Sequence, residues 1–434
     1  MRIISAILTA VIISLSHYAS ANTFKTEKWL TKNGVPVVFY QANEVPMLDI
    51  SLAFAAGSAY DGNLYGLSAF TMNMINQGNA GKDATTVAEL LADTGSQFDT
   101  EISRDMVTLN LRTLTSKEAL EQSTGVLNQI INHPDFPDEA FERERKQLLM
   151  AIEQSDESPD DVANINFFNT LYQNHPYAHS VNGTTNTING INKKQVIDFY
   201  KKYYVANNAV LVLVGAVDNP KAHQIAEQLT QDLSQGSPAA SNPKAKQLTK
   251  SEKINIKFPS SQTIIRLGQI GIDYRNPNYF PLIVGNYILG GGSLVSRLSI
   301  EVREKRGLTY GINSQFTPMP GNGPFLISLS TKNNQATNAL KITEDTLSLF
   351  INNGPDKLEL ESAKQYLTGS FPLSLSSNRS IASLLLRMTF YHLPDNFLDT
   401  YVARINAVTV DEIKQAFKQQ VDPNKLLLVT VGRS

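Results

Sequence analysis

INGINKKQVIDFYKKYYVANNAVLVLVG runs from Ile188 to Gly215, and INAVTVDEIKQAFKQQVDPNKLLLVTVG runs from Ile405 to Gly432. The two align without a gap. Each opens on Ile-Asn, passes through a segment with helical apolar spacing, and ends in an apolar run closed by glycine. Val196 lies over Ile413 and Tyr200 over Phe417. Further upstream, Glu118-Ala119-Leu120 lies over Asn338-Ala339-Leu340, Leu127 over Leu347 and Ile131 over Ile351. A chance likeness between two amphipathic helices does not keep helix, connection, strand and final glycine in register. The 434-residue chain is therefore predicted to be two homologous halves.

The join falls in DLSQGSPAASNPKAKQLTKSEK, residues 232–253, which is rich in Ser, Pro, Gly, Ala and Lys. This gives an N-terminal domain over 22–235, a linker over 236–252 and a C-terminal domain over 253–434. In the first half VPVVFYQA and MLDISLAFAAGSA read as strands, and FDTEISRDMVTLNLRTL as a strand pair. Helical patterns cover about 66–77, 85–94, 116–131, 138–155 and 193–203. Strands and helices are grouped rather than alternating. The fold class is α+β, each half a mostly antiparallel sheet covered by helices.

The extreme N-terminus, MRIISAILTAVIISLSHYASA, has Arg2, an apolar core and then Ala19-Ser20-Ala21. That is the pattern of a secretory signal peptide over residues 1–21. Its apolar run is shorter than the roughly 20 residues that a membrane span needs, so no membrane span is expected. There is no cysteine. Secretion without disulfides fits a bacterial periplasm or exterior, with the periplasm favoured. The net charge is −2, or −3 after removal of Arg2, with 37 basic against 40 acidic residues. No global field draws in nucleic acid.

Generic motifs give no catalytic machinery. His175 and His179 in HPYAH have the i, i+4 spacing of zinc ligands on a helix, but Pro176 argues for a loop and no glutamate lies between them. DESPDD, Asp156–Asp161, reads as a helix break whose acids and serine cap the next helix. GGGS, Gly290–Ser293, lacks the Lys-Ser/Thr of a phosphate-binding loop.

LGGGSLVSRLSIEVREKRGLTYGINS, Leu289–Ser314, is more specific. It closely resembles the second-domain signature of the pitrilysin/insulinase family of zinc peptidases, which includes mitochondrial processing peptidase. HPYAHSVNGT also looks like that family's His-Pro…Gly-Thr loop, a structural explanation for His175. The resemblance spans essentially the whole chain after the signal peptide. It implies two domains of the metallohydrolase-like αβ-roll type, related by internal duplication.

The resemblance also assigns GLSAFTMNMINQG, Gly66–Gly78. Active members carry Gly-x-x-His-x-x-Glu-His on this helix, the histidines binding zinc and the glutamate serving as general base. In register, the first histidine falls at Ala69, the glutamate at Met72 and the second histidine at Asn73. Counting 77 positions on from Asn73 places the third ligand at Met150. All four functional positions are replaced, so no zinc and no other cofactor is expected in this chain. AFTMNMINQG also lies over LIVGNYILGG, Leu282–Gly291, and puts Asn73 over Asn286. The family's second domain contributes an Arg and a Tyr that contact substrate; these map to Arg303 and Tyr310. The plainer alternative pairs Arg303 with Glu301 or Glu304 and packs Tyr310 away.

What the resemblance implies is the partner subunit of the two-chain bacterial type. Such a chain is a non-catalytic, secreted subunit of a heterodimeric zinc metalloendopeptidase. It forms half the chamber around an unfolded peptide, with zinc held by a homologous partner chain. Two alternatives stand beside it. One is a scaffold or binding protein of the same fold with no part in proteolysis. The other is an autonomous zinc peptidase with atypical ligands such as His175 and His179.

Overall fold

The computed structural model describes residues 24–433; the signal-peptide assignment lies outside the described residues. The first half builds a six-stranded sheet from β1 (Glu27–Leu30), β2 (Pro36–Gln41), β3 (Met47–Phe54), β6 (Gln97–Ile102), β7 (Val107–Leu114) and β8 (Ala209–Gly215), in the order β1-β2-β8-β3-β7-β6. Between them lies a small hairpin of β4 (Gly78–Asn79) and β5 (Lys82–Asp83). The second half builds a five-stranded sheet from β9 (Glu252–Lys257), β10 (Gln262–Ile270), β11 (Ile312–Phe316), β12 (Pro324–Lys332) and β13 (Leu427–Gly432), in the order β11-β12-β10-β13-β9. Each sheet is antiparallel except at one pairing, β2 with β8 and β9 with β13. The fold class is α+β, as the grouping of the elements predicts.

The registers reproduce the duplication residue by residue. Leu211 of β8 faces Leu52 of β3, and Leu428 of β13, its aligned counterpart, faces Leu267 of β10. The predicted helices are present at Leu67–Met74, Ala84–Ala92, Lys117–Asn132, Asp138–Asp156 and Lys193–Tyr203. DESPDD acts as expected. Ser158 Oγ accepts from the Asp161 amide at 3.3 Å, Pro159 starts the Pro159–Tyr172 helix, and Asp160 and Asp161 lie in its first turn.

AVLVLVG of β8 is buried along its whole length. A strand alternates its side chains between two faces, so an unbroken apolar run needs cover on both. One face, Ala209, Leu211 and Leu213, packs into the first half's own helical core. The other, Val210, Val212 and Val214, packs into the second half's core. The helix responsible is Asn378–Phe390, which lies on β8 and β3. The exchange is reciprocal. Pro159–Tyr172, from the first half, lies on β13 and β10 of the second. Ala163, Phe167 and Leu171 there pack with Ile264, Ile270, Leu427, Val429 and Val431. Gly268 on β10 makes room for this: a Cβ there would meet the Phe325 carbonyl oxygen at 2.1 Å and the Phe167 ring at 2.9 Å.

Ion pairs secure the start of each exchanged helix. Asp160 meets Arg266 of β10 at 2.6 Å, and Arg379 meets Asp99 of β6 at 2.8 Å. The acid is on the helix in one pair and on the strand in the other.

Residues 234–248, despite their linker composition, are a strap bonded to both halves. The Ala239 amide donates to Asn208 Oδ1 at 2.6 Å, and the Ala245 amide to the Gly321 carbonyl at 2.8 Å. Beside it, Asp105, 3% exposed, accepts from the Tyr177 hydroxyl at 2.5 Å, Asn242 Nδ2 at 3.1 Å and the Tyr391 hydroxyl at 3.3 Å. The Gly321 amide donates to the Tyr177 oxygen at 3.2 Å. Four separate stretches of chain from both halves thus meet at one carboxylate, and a fifth, at Gly321, reaches it through Tyr177.

Because Phe167 closes the far sheet, Phe167→Ala is expected to destabilise the protein by about 3–5 kcal/mol. Both halves should unfold in one transition at a lower urea midpoint. Two separated transitions by circular dichroism and Trp29 fluorescence would contradict the reciprocal cover.

Candidate functional site

The Leu67–Met74 helix starts at Gly66, whose φ of +91° suits glycine. The chain is also tight there, since a Cβ would lie 2.6 Å from the Asn182 carbonyl oxygen. Asp61 accepts from the Gly66 and Ser68 amides, each at 2.7 Å, and so satisfies the first free donors of the helix. Burial pushes the Asp61 carboxyl up to about 8, against the lowering effect of those two amides. The helix itself is core. Leu67, Ala69, Phe70, Met72 and Met74 are buried, and Phe70 stacks on Phe141 with ring centroids 4.7 Å apart.

Of the positions that the family motif assigns, Ala69 is 1% exposed, Met72 9% and Asn73 half-buried. Met150 is 66% exposed. It lies on the outer side of the Asp138–Asp156 helix, opposite the buried stripe of Ala140, Glu144, Leu148 and Ile152. These four side chains offer a methyl, two thioethers and one amide. They do not fit zinc, which takes imidazole, thiolate or carboxylate ligands, and they include no group to take a proton from a bound water. Among the described residues no cluster of three or more His, Cys, Asp or Glu side chains could hold a metal.

The sequence reading missed Glu144. Its carboxyl is buried on the inner stripe of that helix, 3.6 Å from Arg143, and burial raises its pKa. The signal was available in the four-residue spacing of Ala140, Glu144, Leu148 and Ile152, which puts a glutamate among core positions.

HPYAH is a loop, as Pro176 predicts. His175 is used on both sides of its ring: Nδ1 accepts from the Tyr177 amide at 3.1 Å, and Nε2 sits 2.8 Å from the Pro243 carbonyl. His179 stacks on Tyr65 with centroids 4.3 Å apart, and its Nδ1 lies 3.0 Å from the Ser180 carbonyl. Both rings are structural, and they form no metal site together.

Arg303 and Tyr310 stand differently. Residues Ser299–Glu304 form a π-turn, with Lys305 N–H donating to the Ile300 carbonyl at 2.9 Å. The chain then folds back on itself. Gly307 N–H donates to the Arg303 carbonyl at 2.8 Å, and Leu308 N–H to the Val302 carbonyl at 3.0 Å. Thr309 anchors the turn through its hydroxyl, which donates to the Ser330 carbonyl at 2.6 Å. On this braced connection Tyr310 is 81% exposed. Glu301, the suggested partner of Arg303, is taken by Lys305 at 2.6 Å and Arg306 at 2.7 Å, and these cations hold its carboxyl below the usual range. Among the described residues no carboxylate lies within ion-pair distance of Arg303. The plainer alternative for this pair therefore fails on both counts: the guanidinium is unpaired and the phenol is not packed away.

The family model described as "Insulinase (Peptidase family M16)" matches residues 37–185, and that described as "Peptidase M16 inactive domain" matches residues 190–367. A solved structure described as a peptidase M16 inactive domain from Pseudomonas fluorescens is 36% identical. It superposes with a TM-score of 0.91 over 94% of this chain and 98% of the other. The chain belongs to the M16 peptidase family. It is also 26% identical over 412 residues to a Helicobacter pylori protein named "Non-peptidase homolog YmxG", covering 94% of each chain. A Bacillus subtilis protein named "Uncharacterized zinc protease YmxG" is 26% identical over 398 residues, 91% of this chain and 95% of the other. Relatives of this chain thus carry both peptidase and non-peptidase names, so the residues of the site must decide.

Burial holds the His179 pKa below its ordinary value. Its contribution to stability is therefore present above about pH 6.5, the unfolded value, and is lost as pH falls through the folded one. Asp61, raised to about 8 and 3.9 Å from His179, works in the opposite sense over the same window. The urea midpoint of His179→Gln is therefore expected to fall less than that of the wild type between about pH 7 and 5. Parallel pH profiles for the two proteins would show that His179 does not titrate on unfolding.

Proposed function

We propose that this chain is the non-catalytic subunit of a two-chain M16 endopeptidase. It is exported to the periplasm by its first 21 residues, where a homologous zinc-bearing partner completes the chamber. The observation that carries the reading is the pair of Arg303, unpaired, and Tyr310, 81% exposed, on a braced turn. Guanidinium and phenol are both hydrogen-bond donors, and the guanidinium keeps its charge at any working pH. Together they present a cation and a hydroxyl donor to a peptide carbonyl whose oxygen gains negative charge as the bond is attacked. The base and the metal belong to the facing chain, because Ala69, Met72, Asn73 and Met150 supply neither. Among the described residues no helix is long and apolar enough to cross a membrane, which is compatible with an exported protein.

The chain purified alone is expected to hold no stoichiometric zinc and to cleave no peptide. Mixed with its zinc-bearing partner it should restore cleavage, and Arg303→Ala in this chain should lower kcat by about a hundredfold. That substitution should leave the melting temperature nearly unchanged, since the guanidinium makes no ion pair or side-chain hydrogen bond among the described residues. Stoichiometric zinc in the isolated chain with chelator-sensitive cleavage would overturn the proposal, and full activity of the Arg303→Ala complex would turn it towards a scaffold.

A further inference from the structure

The seam between the two halves holds a cleft that none of Arg303, Tyr310, Ala69, Met72, Asn73 and Met150 lines. Its volume is about 580 Å³, within the roughly 300–1,000 Å³ of small-molecule sites. Three connections and the strap build it. Tyr60 comes from the short Ser58–Tyr60 turn after β3, and Tyr274 from the turn after β10. Tyr391 follows the exchanged helix Asn378–Phe390, and strap residues 238–242 close the remaining side. Tyr274 and Tyr391 stack with ring centroids 4.7 Å apart. Ala55, Val210 and Phe390 add apolar wall.

Of the charged side chains that line the cleft, one is left without a partner. Asp105 is engaged by three donors, with the Arg104 charge beside it. Asp273 is engaged by Lys244 and by the Arg275 amide, the latter at 3.0 Å. Arg275 itself is exposed, and its guanidinium makes no ion pair or side-chain hydrogen bond among the described residues. The exposed imidazole of His392 is the remaining titratable group of the rim.

Two half-buried phenols are also unengaged, since Tyr60 and Tyr274 make no side-chain hydrogen bond among the described residues. Burial, reinforced by the Asp105 charge, pushes Tyr60 up to about 12. Burial raises Tyr274 as well, against the opposing charge of Arg387. Both hydroxyls therefore keep their protons at neutral pH and can donate to an anion. The cleft offers free phenol and guanidinium donors over an aromatic and apolar wall, and no uncommitted carboxylate.

We propose that this cleft binds a small amphipathic carboxylate, its apolar body against Tyr274, Tyr391, Val210 and Phe390 and its carboxylate on Arg275. A planar guanidinium takes a carboxylate through two parallel N–H bonds. A cationic ligand would meet Arg275 with like charge and find no free carboxylate, and a wholly polar one would gain nothing from the apolar wall. The body can be aryl or alkyl, as the chemistry of the wall is shared by both. Because the lining comes from both halves and the strap, a ligand held there favours the folded, closed arrangement by mass action.

The test is isothermal titration calorimetry of the chain alone, with 4-phenylbutyrate and octanoate as probes and 4-phenylbutylamine as the control of opposite charge. At least one carboxylate is expected to bind at a single site, and the tighter of the two identifies an aryl or an alkyl body. The amine should bind about tenfold more weakly. Arg275→Gln should weaken carboxylate binding about tenfold and Tyr274→Phe about threefold, the loss of one charge-assisted and one neutral hydrogen bond. Neither substitution should shift the melting temperature of the free chain, because neither removed group is bonded within it. Saturation of the wild type should raise its melting temperature and slow amide exchange at residues 239–242 and 391–393. No binding of either carboxylate, equal binding of the amine, undiminished binding by Arg275→Gln, or protection confined to other segments each overturns the proposal.

Discussion

Asp105 sets the terms for the rest of the molecule. A carboxylate 3% exposed is costly to bury unless its oxygens are met by donors. Here the donors are Tyr177 from the HPYAH loop, Asn242 from the strap and Tyr391 from the end of an exchanged helix. Burial raises the Asp105 pKa, and the three hydrogen bonds oppose that shift. Arg104, next in sequence, adds its guanidinium 3.7 Å above the Phe168 ring and donates through Nε to the Tyr177 carbonyl at 2.9 Å. Separating the halves would leave this carboxylate without its second-half donor and open the seam to water. The relative placement of the two sheets, and with it the direction in which Arg303 and Tyr310 point, depends on this junction and on the two exchanged helices.

Much of this was legible in the sequence because it is locally encoded. The duplication shows in the gapless Ile188–Gly215 and Ile405–Gly432 segments, and the strand registers follow it to the residue. The Ser158 cap and the HPYAH loop follow from Ser, Pro and Asp chemistry within a few positions. The exchanged helices were not legible. Nothing in PDDVANINFFNTLY says which of two similar sheets Phe167 will cover, because both present the same apolar surface. The bonds of the strap were not legible either: backbone amides at Ala239 and Ala245 find partners in the folded protein that no local pattern announces.

At the site, the assigned positions lie three on one helix and one on another. Ala69, Met72 and Asn73 occupy a single helix whose start is fixed by Gly66 and Asp61, so their burial follows from spacing. Met150 is reached across two further helices and four strands. On that second helix Met150 is exposed and Glu144 is buried. The retained helix is explained without chemistry, since Phe70 and Met74 are part of the first half's core.

The reciprocal cover by Pro159–Tyr172 and Asn378–Phe390 also bears on how such a chain could arise. A polypeptide of half this length would carry one sheet and one outlying helix, with the sheet's second face bare. It could close that face only by trading helices with another copy of itself. Joining two copies end to end by a strap would keep both trades within one molecule. It would also free each copy to change alone.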